Sequence, residues 1–381
     1  MTEENDLYNR ALALAEGGKF DEALRMYDEL LAQVASISSL RAAVYNDIAT
    51  IRHSQGSHAG AEALFRQAVF TDTLFMDAYR NLMALNAEKA KDKKKYRLSI
   101  SIPTYNRCNE LKRCIDSLRE NSFYPLEIIV VCDPCNDGTV EYLKGEEGKE
   151  DIVSVINNER IGATRSWNIG LEKATGDYVA LLNDDHEVMP GWDLAAILCI
   201  DDDETAGCGL PLIIYPGGKL QSAGQHNDYV SCYHSWLGSV PFMDCDIFHT
   251  KYLEHLPELQ QPRECDYGYV PVMKRECFEK AGALDERYEH YFTDTDLGYK
   301  IQQAGYKNIY CPTAVVVHHD LSRKDPDLKD RRFEADRIKF FEKWGIYTHA
   351  HLKLFYENMK EASGLFASLI NPVYGKGGKD V

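Results

Sequence analysis

No stretch of this sequence stays apolar for the roughly 18 residues that a membrane-spanning helix needs. That sets aside an integral synthase built on helical spans. Basic charge is also short. Lys and Arg total 43 against 60 Asp and Glu, a formal net charge of -17. So acidic a chain repels nucleic acid and anionic membranes, and neither is expected as its main partner. The first ten residues, MTEENDLYNR, are acidic and polar and do not read as a secretory leader. Cysteine is present but does not form a framework. The eleven cysteines are an odd number, spread from Cys108 to Cys311. Cys114, Cys199 and Cys208 sit in apolar patterns, as reduced thiols of a cytoplasmic protein do. Cys132 and Cys135 make one C-x-x-C with no second pair at zinc-finger spacing, so a structural role is expected for them.

What is there is an ordinary soluble composition, 44% hydrophobic and 27% charged, over 381 residues. That length fits two domains. Residues 5–88 read as helices. Leu7, Ala11, Leu14 and Ala15 recur at helical spacing, and Gly17-Gly18 ends that helix. Gly18, Ala23 and Tyr27 then return as Gly56, Ala61 and Phe65, with the same internal offsets. Residues 1–90 thereby resemble tetratricopeptide repeats, whose period is about 34 residues. So few units rarely stand alone. The array is expected to lean on the rest of the chain or on a second copy, and to serve a protein partner or self-association. Residues 91–97 close a charged run, KAKDKKKYR, and are expected to be a linker.

From Leu98 the period changes. Leu98–Ile102, Glu127–Val131, Ile152–Ile156 and Tyr178–Leu182 read as strands, with helices between them. Alternation of this kind predicts βαβ units and a largely parallel sheet, so the fold class is α/β behind an all-α segment. Tyr178–Leu182 runs into Asn183-Asp184-Asp185-His186-Glu187. Carboxylates at the carboxyl end of a buried strand lie where open α/β sheets bind ligands, and they suit Mg2+ or Mn2+. A solvated acidic loop is the plain alternative.

Four tracts occur in order: SISIPTYNR, EIIVVCDPCNDGT, NNERIGATRSWNIGLEKATGDYVALLNDD and HYFTDTDLGYKIQQAGYKNIYCPTAVVVHH. Together they resemble a family 2 glycosyltransferase of the GT-A fold over about residues 98–320, and YPGGKLQSAG resembles a segment of bacterial members. The resemblance implies a nucleotide-diphospho-sugar transferase fold over 98–325. After it, Phe333–Trp344 and Leu352–Met359 read as helices, so 326–381 is expected to be a C-terminal helical extension with a frayed tail. It implies inverting transfer from a UDP-, dTDP- or GDP-linked donor to an acceptor hydroxyl on a glycan, a lipid-linked carrier or a protein.

By position, the resemblance places Pro103, Thr104, Asp133, Arg165, Asn183 and Asp184 on the donor. Asp133 also fits a turn before Pro134, and Arg165 a surface role. The family's D-x-D falls on Asn183-Asp184-Asp185, with Asn183 in place of the first Asp. Asp185 is then the metal carboxylate, and His318 the further ligand of a Mn2+ or Mg2+ cofactor, its neighbour His319 pointing to the other face. His318 also suits a strand-end role. The family's E-D falls on Thr293-Asp294, so Asp294 is the expected general base, or a helix N-terminal acid. Asp296 reads as structural. Tyr267 and Gly268 fall on the acceptor side, with Tyr288, Tyr291 and Phe292 nearby. The Asn183 and Thr293 departures leave one alternative open, a repeat-containing binding scaffold with an inactive transferase domain.

Overall fold

The computed structural model describes residues 2–34, 38–91, 95–228, 233–235, 257–289, 291–319 and 326–344. The chain opens with helices α1 (Glu3–Glu16), α2 (Phe20–Gln33), α3 (Ser38–Ser54), α4 (His58–Thr71) and α5 (Met76–Lys89). Then come β1 (Leu98–Thr104), α6 (Cys108–Asn121), β2 (Leu126–Cys132), α7 (Thr139–Glu146), β3 (Ile152–Ile156), α8 (Ala163–Lys173) and β4 (Tyr178–Leu181). The second half carries β5 (His186–Val188), α9 (Trp192–Asp201), β6 (Ala206–Ile214), β7 (Leu220–Ser222), β8 (His226–Asp228) and β9 (Tyr233–Ser235). It ends with β10 (Arg263–Cys265), β11 (Val272–Lys274), α10 (Arg275–Ala281), α11 (Thr293–Gln303), β12 (Lys307–His318) and α12 (Pro326–Trp344). The helix expected at Leu352–Met359, and the tail after it, lie outside the described residues.

Ten strands form one mixed sheet in the order β10-β12-β6-β11-β4-β1-β2-β3, with β5 added to β12 and β7 to β6. β1 pairs in parallel with both β2 and β4. The strand order reverses at β1, between β2 and β4, and open α/β sheets bind ligands in the crevice at the carboxyl ends of the strands at such a point. Helices cover both faces of these strands, so they read as continuous apolar runs rather than as alternating ones. α8 lies close against β1 because Gly170 has no side chain. A Cβ there would meet Ser101 Cβ at 2.7 Å. Gly162, with φ of +85°, makes the turn into α8 in a conformation that residues with a Cβ rarely adopt.

The helical segment divides by its packing. α1 and α2 share a core with part of α3, built on Ala11, Tyr27, Leu30, Val44 and Ile48. The Tyr8 and Tyr27 hydroxyls both donate to Asp47 Oδ2 at 2.9 Å and fasten this unit together. α4 and α5 belong to a different core. Phe65, Phe70, Tyr79, Leu82 and Leu85 are buried in one cluster with Ile129, Leu210, Leu212 and Tyr310 of the sheet. Thr73 Oγ1 donates to Gly218 O across this junction at 3.1 Å. The charged run also ends anchored. Tyr96 donates to Asp201 at 2.8 Å and Arg97 N–H to Asp177 at 3.0 Å.

Candidate active site

Thr104 ends β1 and reaches two neighbouring strands. Its carbonyl accepts from Asp133 N–H at 3.0 Å, beyond β2. Its hydroxyl donates to Asp184 Oδ2 at 2.8 Å, beyond β4. Pro103 sits beside it in the strand, opposite Val131.

The turn after β4 is closed by a reciprocal pair. His186 N–H donates to Asn183 O at 3.3 Å, and Asn183 N–H donates to His186 Nδ1 at 3.0 Å. With Nδ1 accepting, the neutral ring carries its proton on Nε2. Burial pushes His186 down to about 3, so it stays neutral. This turn projects Asp184 and Asp185 into the crevice, and both are buried. Arg107, just before α6, places Nη1 2.6 Å from Asp185 Oδ2 and 3.5 Å from Asp184 Oδ1. Burial pushes Asp184 up to about 7, against the pull of Arg107 and Thr104. Burial acts on Asp185 the same way, but the Arg107 guanidinium beside it pulls in the other direction, and the carboxyl lies well below the usual range.

β12 brings His318 to the same place. Its Nε2 lies 3.5 Å from Asp185 Oδ1, and its Nδ1 lies 2.9 Å from Gln221 Oε1 on β7. His319 turns the other way, with Nε2 2.7 Å from Glu187. Asp185, His186 and His318 bring potential ligand atoms within 4.8 Å of one another. His186 contributes a proton-bearing nitrogen, so the donor set that fits an ion is Asp185 with His318.

Asp133 lies one strand away and is buried. Its carboxylate accepts from Asn157 Nδ2 at 3.1 Å, Ile161 N–H at 3.2 Å and Gly162 N–H at 3.0 Å. It holds the loop that enters α8. Arg165, on α8, pairs with Glu286 at 3.1 Å on an exposed surface.

Asp294 opens α11 and is half-buried. Phe292 caps this helix in the left-handed region, φ +62°. Asp294 Oδ1 accepts from Thr295 N–H at 2.9 Å, and burial pushes the carboxyl up to about 6. Asp294, Tyr267, Gly268, Leu210, Pro271 and Asn308 line one small cavity. Tyr267 is 1% exposed, so its ring belongs to the core beside Asp294 and not to an open acceptor face. Tyr288 and Phe292 pack with Phe340 and Phe341 of α12. Asp296 faces that helix too, accepting from Lys343 Nζ and Trp344 Nε1, both at 2.8 Å.

The fold thus assembles Thr104, Asp184, Asp185 and His318 in one group and links it through Thr104 to Asp133. Asp294, Tyr267 and Gly268 form a second group, and Arg165 stands apart. The sequence reading passed over Arg107, although it ends the SISIPTYNR tract. It also gave no role to Gln221, inside YPGGKLQSAG, or to His186. Charge and polarity within a motif were the available signals.

Comparison with known proteins finds relatives of this chain. The family model described as Glycosyl transferase family 2 matches residues 99–250. An uncharacterised protein of Sinorhizobium fredii is 30% identical over 261 residues, 66% of this chain and 28% of its own length. The chain therefore spans little more than a quarter of that relative. The N-acetylglucosaminyl-diphospho-decaprenol L-rhamnosyltransferase of Mycobacterium tuberculosis is 27% identical over 237 residues, 58% of this chain and 76% of its own. Among solved structures, a mannosyltransferase of Pyrobaculum calidifontis in complex with GDP-Man and Mn2+ aligns with a TM-score of 0.48 at 18% identity, over 84% of this chain and 88% of its own. The family match falls on the strands and turns that carry Thr104, Asp133 and Asp185, so residues 99–250 carry a domain of the glycosyl transferase family 2 type.

Proposed function

We propose that this protein transfers a sugar from a nucleoside-diphosphate donor to an acceptor hydroxyl, with inversion at the anomeric carbon. The observation that carries this reading is the meeting of Asp185 and His318 beside Thr104 and Arg107, at the carboxyl ends of β1, β4 and β12. Asp185 Oδ1 and His318 Nε2 would hold Mn2+ or Mg2+. Such an ion, when bound, supplies positive charge beside the departing diphosphate. Arg107 adds a fixed cation at the same end of the crevice and stays protonated throughout. Thr104 keeps Asp184 oriented, and the Asp133 loop shapes the nucleoside side.

Asp294 is the base in this reading. The acceptor oxygen attacks the anomeric carbon as its proton passes to the Asp294 carboxylate. The bond to the diphosphate oxygen breaks on the opposite face and leaves with its electron pair. A carboxyl poised near 6 is ionised at neutral pH yet basic enough to take that proton. The acceptor is a hydroxyl on a glycan, a lipid-linked sugar or a protein.

The test is incubation with UDP-, GDP- and dTDP-sugars, with release of nucleoside diphosphate as the readout. One donor series should be turned over in Mn2+ and spared by Asp185→Ala. Turnover of no donor, with any candidate acceptor, would oppose the reading and favour the binding-scaffold alternative.

A further inference from the structure

Gln221 stands at the middle of β7, beside the Asp185–His318 pair. It lies on β7, a short strand hydrogen-bonded to β6, and its amide oxygen faces the ring of His318. Oε1 of an amide only accepts, so at 2.9 Å the proton between the two groups sits on His318 Nδ1. A neutral imidazole has one ring proton. With Nδ1–H committed to Gln221, Nε2 is left as a lone pair, and Nε2 is the atom that faces Asp185 Oδ1 at 3.5 Å.

The reverse arrangement has a different chemistry. Were Nε2 to carry the proton, it would donate to Asp185 Oδ1. The ring would then offer no lone pair to an ion. Metal-binding histidines generally donate their second ring N–H to an oxygen, which fixes both tautomer and ring plane. The neighbouring ring does not supply that control. His186 contacts His318 edge to face at 4.7 Å between centroids, and its Nδ1 is taken by Asn183 N–H.

We infer that Gln221 is a positioning residue, which sets His318 in the Nδ1–H tautomer and aims its Nε2 lone pair at the Asp185 carboxylate for a divalent cation. The metal half of this inference rests on the function proposed above. The tautomer half does not.

Two measurements on the full chain test it. The first is nitrogen-15 NMR of the histidine rings without metal, His318 being assigned by its loss in His318→Asn. The wild type should show Nδ1 protonated and Nε2 unprotonated. Gln221→Leu should lose that preference, and Gln221→Glu, which keeps an acceptor oxygen, should retain it. A wild-type His318 protonated on Nε2, or a Gln221→Leu spectrum identical to wild type, would overturn the inference. Matching melting temperatures would show that the variants fold.

The second is Mn2+ affinity by electron paramagnetic resonance, with whichever of UDP, GDP or dTDP stabilises the protein. Loss of such an outer partner typically costs about 10–100-fold in metal affinity. That weakening is expected for Gln221→Leu and not for Gln221→Glu. If wild type binds Mn2+ and Gln221→Leu binds it equally well, Gln221 has no such role. If wild type binds no Mn2+ but shows the expected tautomer, the metal reading fails while the control of His318 by Gln221 stands.

Discussion

His318 Nε2 lies 3.5 Å from Asp185 Oδ1, although the two residues come from strands that are not adjacent in the sheet. The link is made by β5, which follows the Asp185 turn directly and pairs antiparallel with β12 in the register His318↔His186. His319 N–H donates to Asp185 O at 3.1 Å and fixes the same junction. We expect Asp185→Ala and His318→Ala each to abolish the dependence of donor affinity on Mn2+. Calorimetry of the nucleoside diphosphate, with Mn2+ and with chelator, checks this. Equal affinities for the wild type under both conditions would count against a metal at this place.

The base should announce itself in a pH profile. Asp294 works ionised, and its carboxyl is pushed up to about 6 by burial. Transfer should therefore fall about tenfold per pH unit below 6. Asp294→Asn should lower transfer about 10²–10⁴-fold and remove that limb, with nucleotide affinity unchanged. The linkage runs the other way for stability. A carboxyl raised above its unfolded value contributes most below about pH 4, and that contribution is lost as pH rises through 6. Asp294→Asn should thus be at least as stable as wild type at pH 7.5. Near wild-type transfer by this variant would move the base elsewhere.

Asp296, two residues on, should behave in the opposite manner. It is 1% exposed and accepts from Tyr288, Lys343 and Trp344. Removing one partner of a buried ion pair costs about 3–5 kcal/mol, and the partly exposed Lys343 lowers that to roughly 2–4 kcal/mol here. Asp296→Ala should lower the denaturation midpoint strongly and leave the affinity of the folded fraction for nucleotide intact. An unchanged midpoint would mean that α12 is not held to α11 by this network.

The helical segment should tolerate cutting at one point and not at another. A chain beginning at α3 loses the core built on Tyr27 and Leu30 but keeps the one shared with the sheet. A chain beginning near Lys91 loses Phe65, Phe70, Tyr79, Leu82 and Leu85 from that shared core. Each such side chain contributes about 1.5–3 kcal/mol on full burial, so the five together are comparable to the about 5–15 kcal/mol by which a whole domain is stable. The shorter chain should aggregate and the longer one stay soluble. We propose that residues 1–90 recruit the acceptor's carrier or a second copy. Soluble, active protein starting at Lys91 would show the opposite.

Period and turn chemistry were enough to read the parallel half of the sheet from the sequence. Glu127–Val131 and Tyr178–Leu182 are apolar runs bounded by Gly, Pro and Asp, and they became β2 and β4. The antiparallel additions β5, β7, β10 and β11 are three residues each, too short to show a period. Asp185, Asp294 and His318 were singled out by the family resemblance; in the fold Asp185 follows β4, Asp294 lies in the first turn of α11 and His318 ends β12. Gln221 and Arg107 act across the fold, through partners 97 and 78 residues away. Local pattern carries no trace of such a pairing. The shared core of α4 and α5 was hidden for the same reason, since a helix's apolar face does not name what covers it.

The account stands most directly on nucleotide binding. The purified 381-residue chain should be melted with UDP, GDP and dTDP, each with Mn2+ and with excess chelator. A ligand at 100 times its dissociation constant stabilises the folded state by about 2.7 kcal/mol, a rise of several degrees. The account predicts that rise for at least one nucleoside diphosphate in Mn2+, its loss in chelator, and its loss in Asp185→Ala. No shift with any of the three, in either condition, would contradict it.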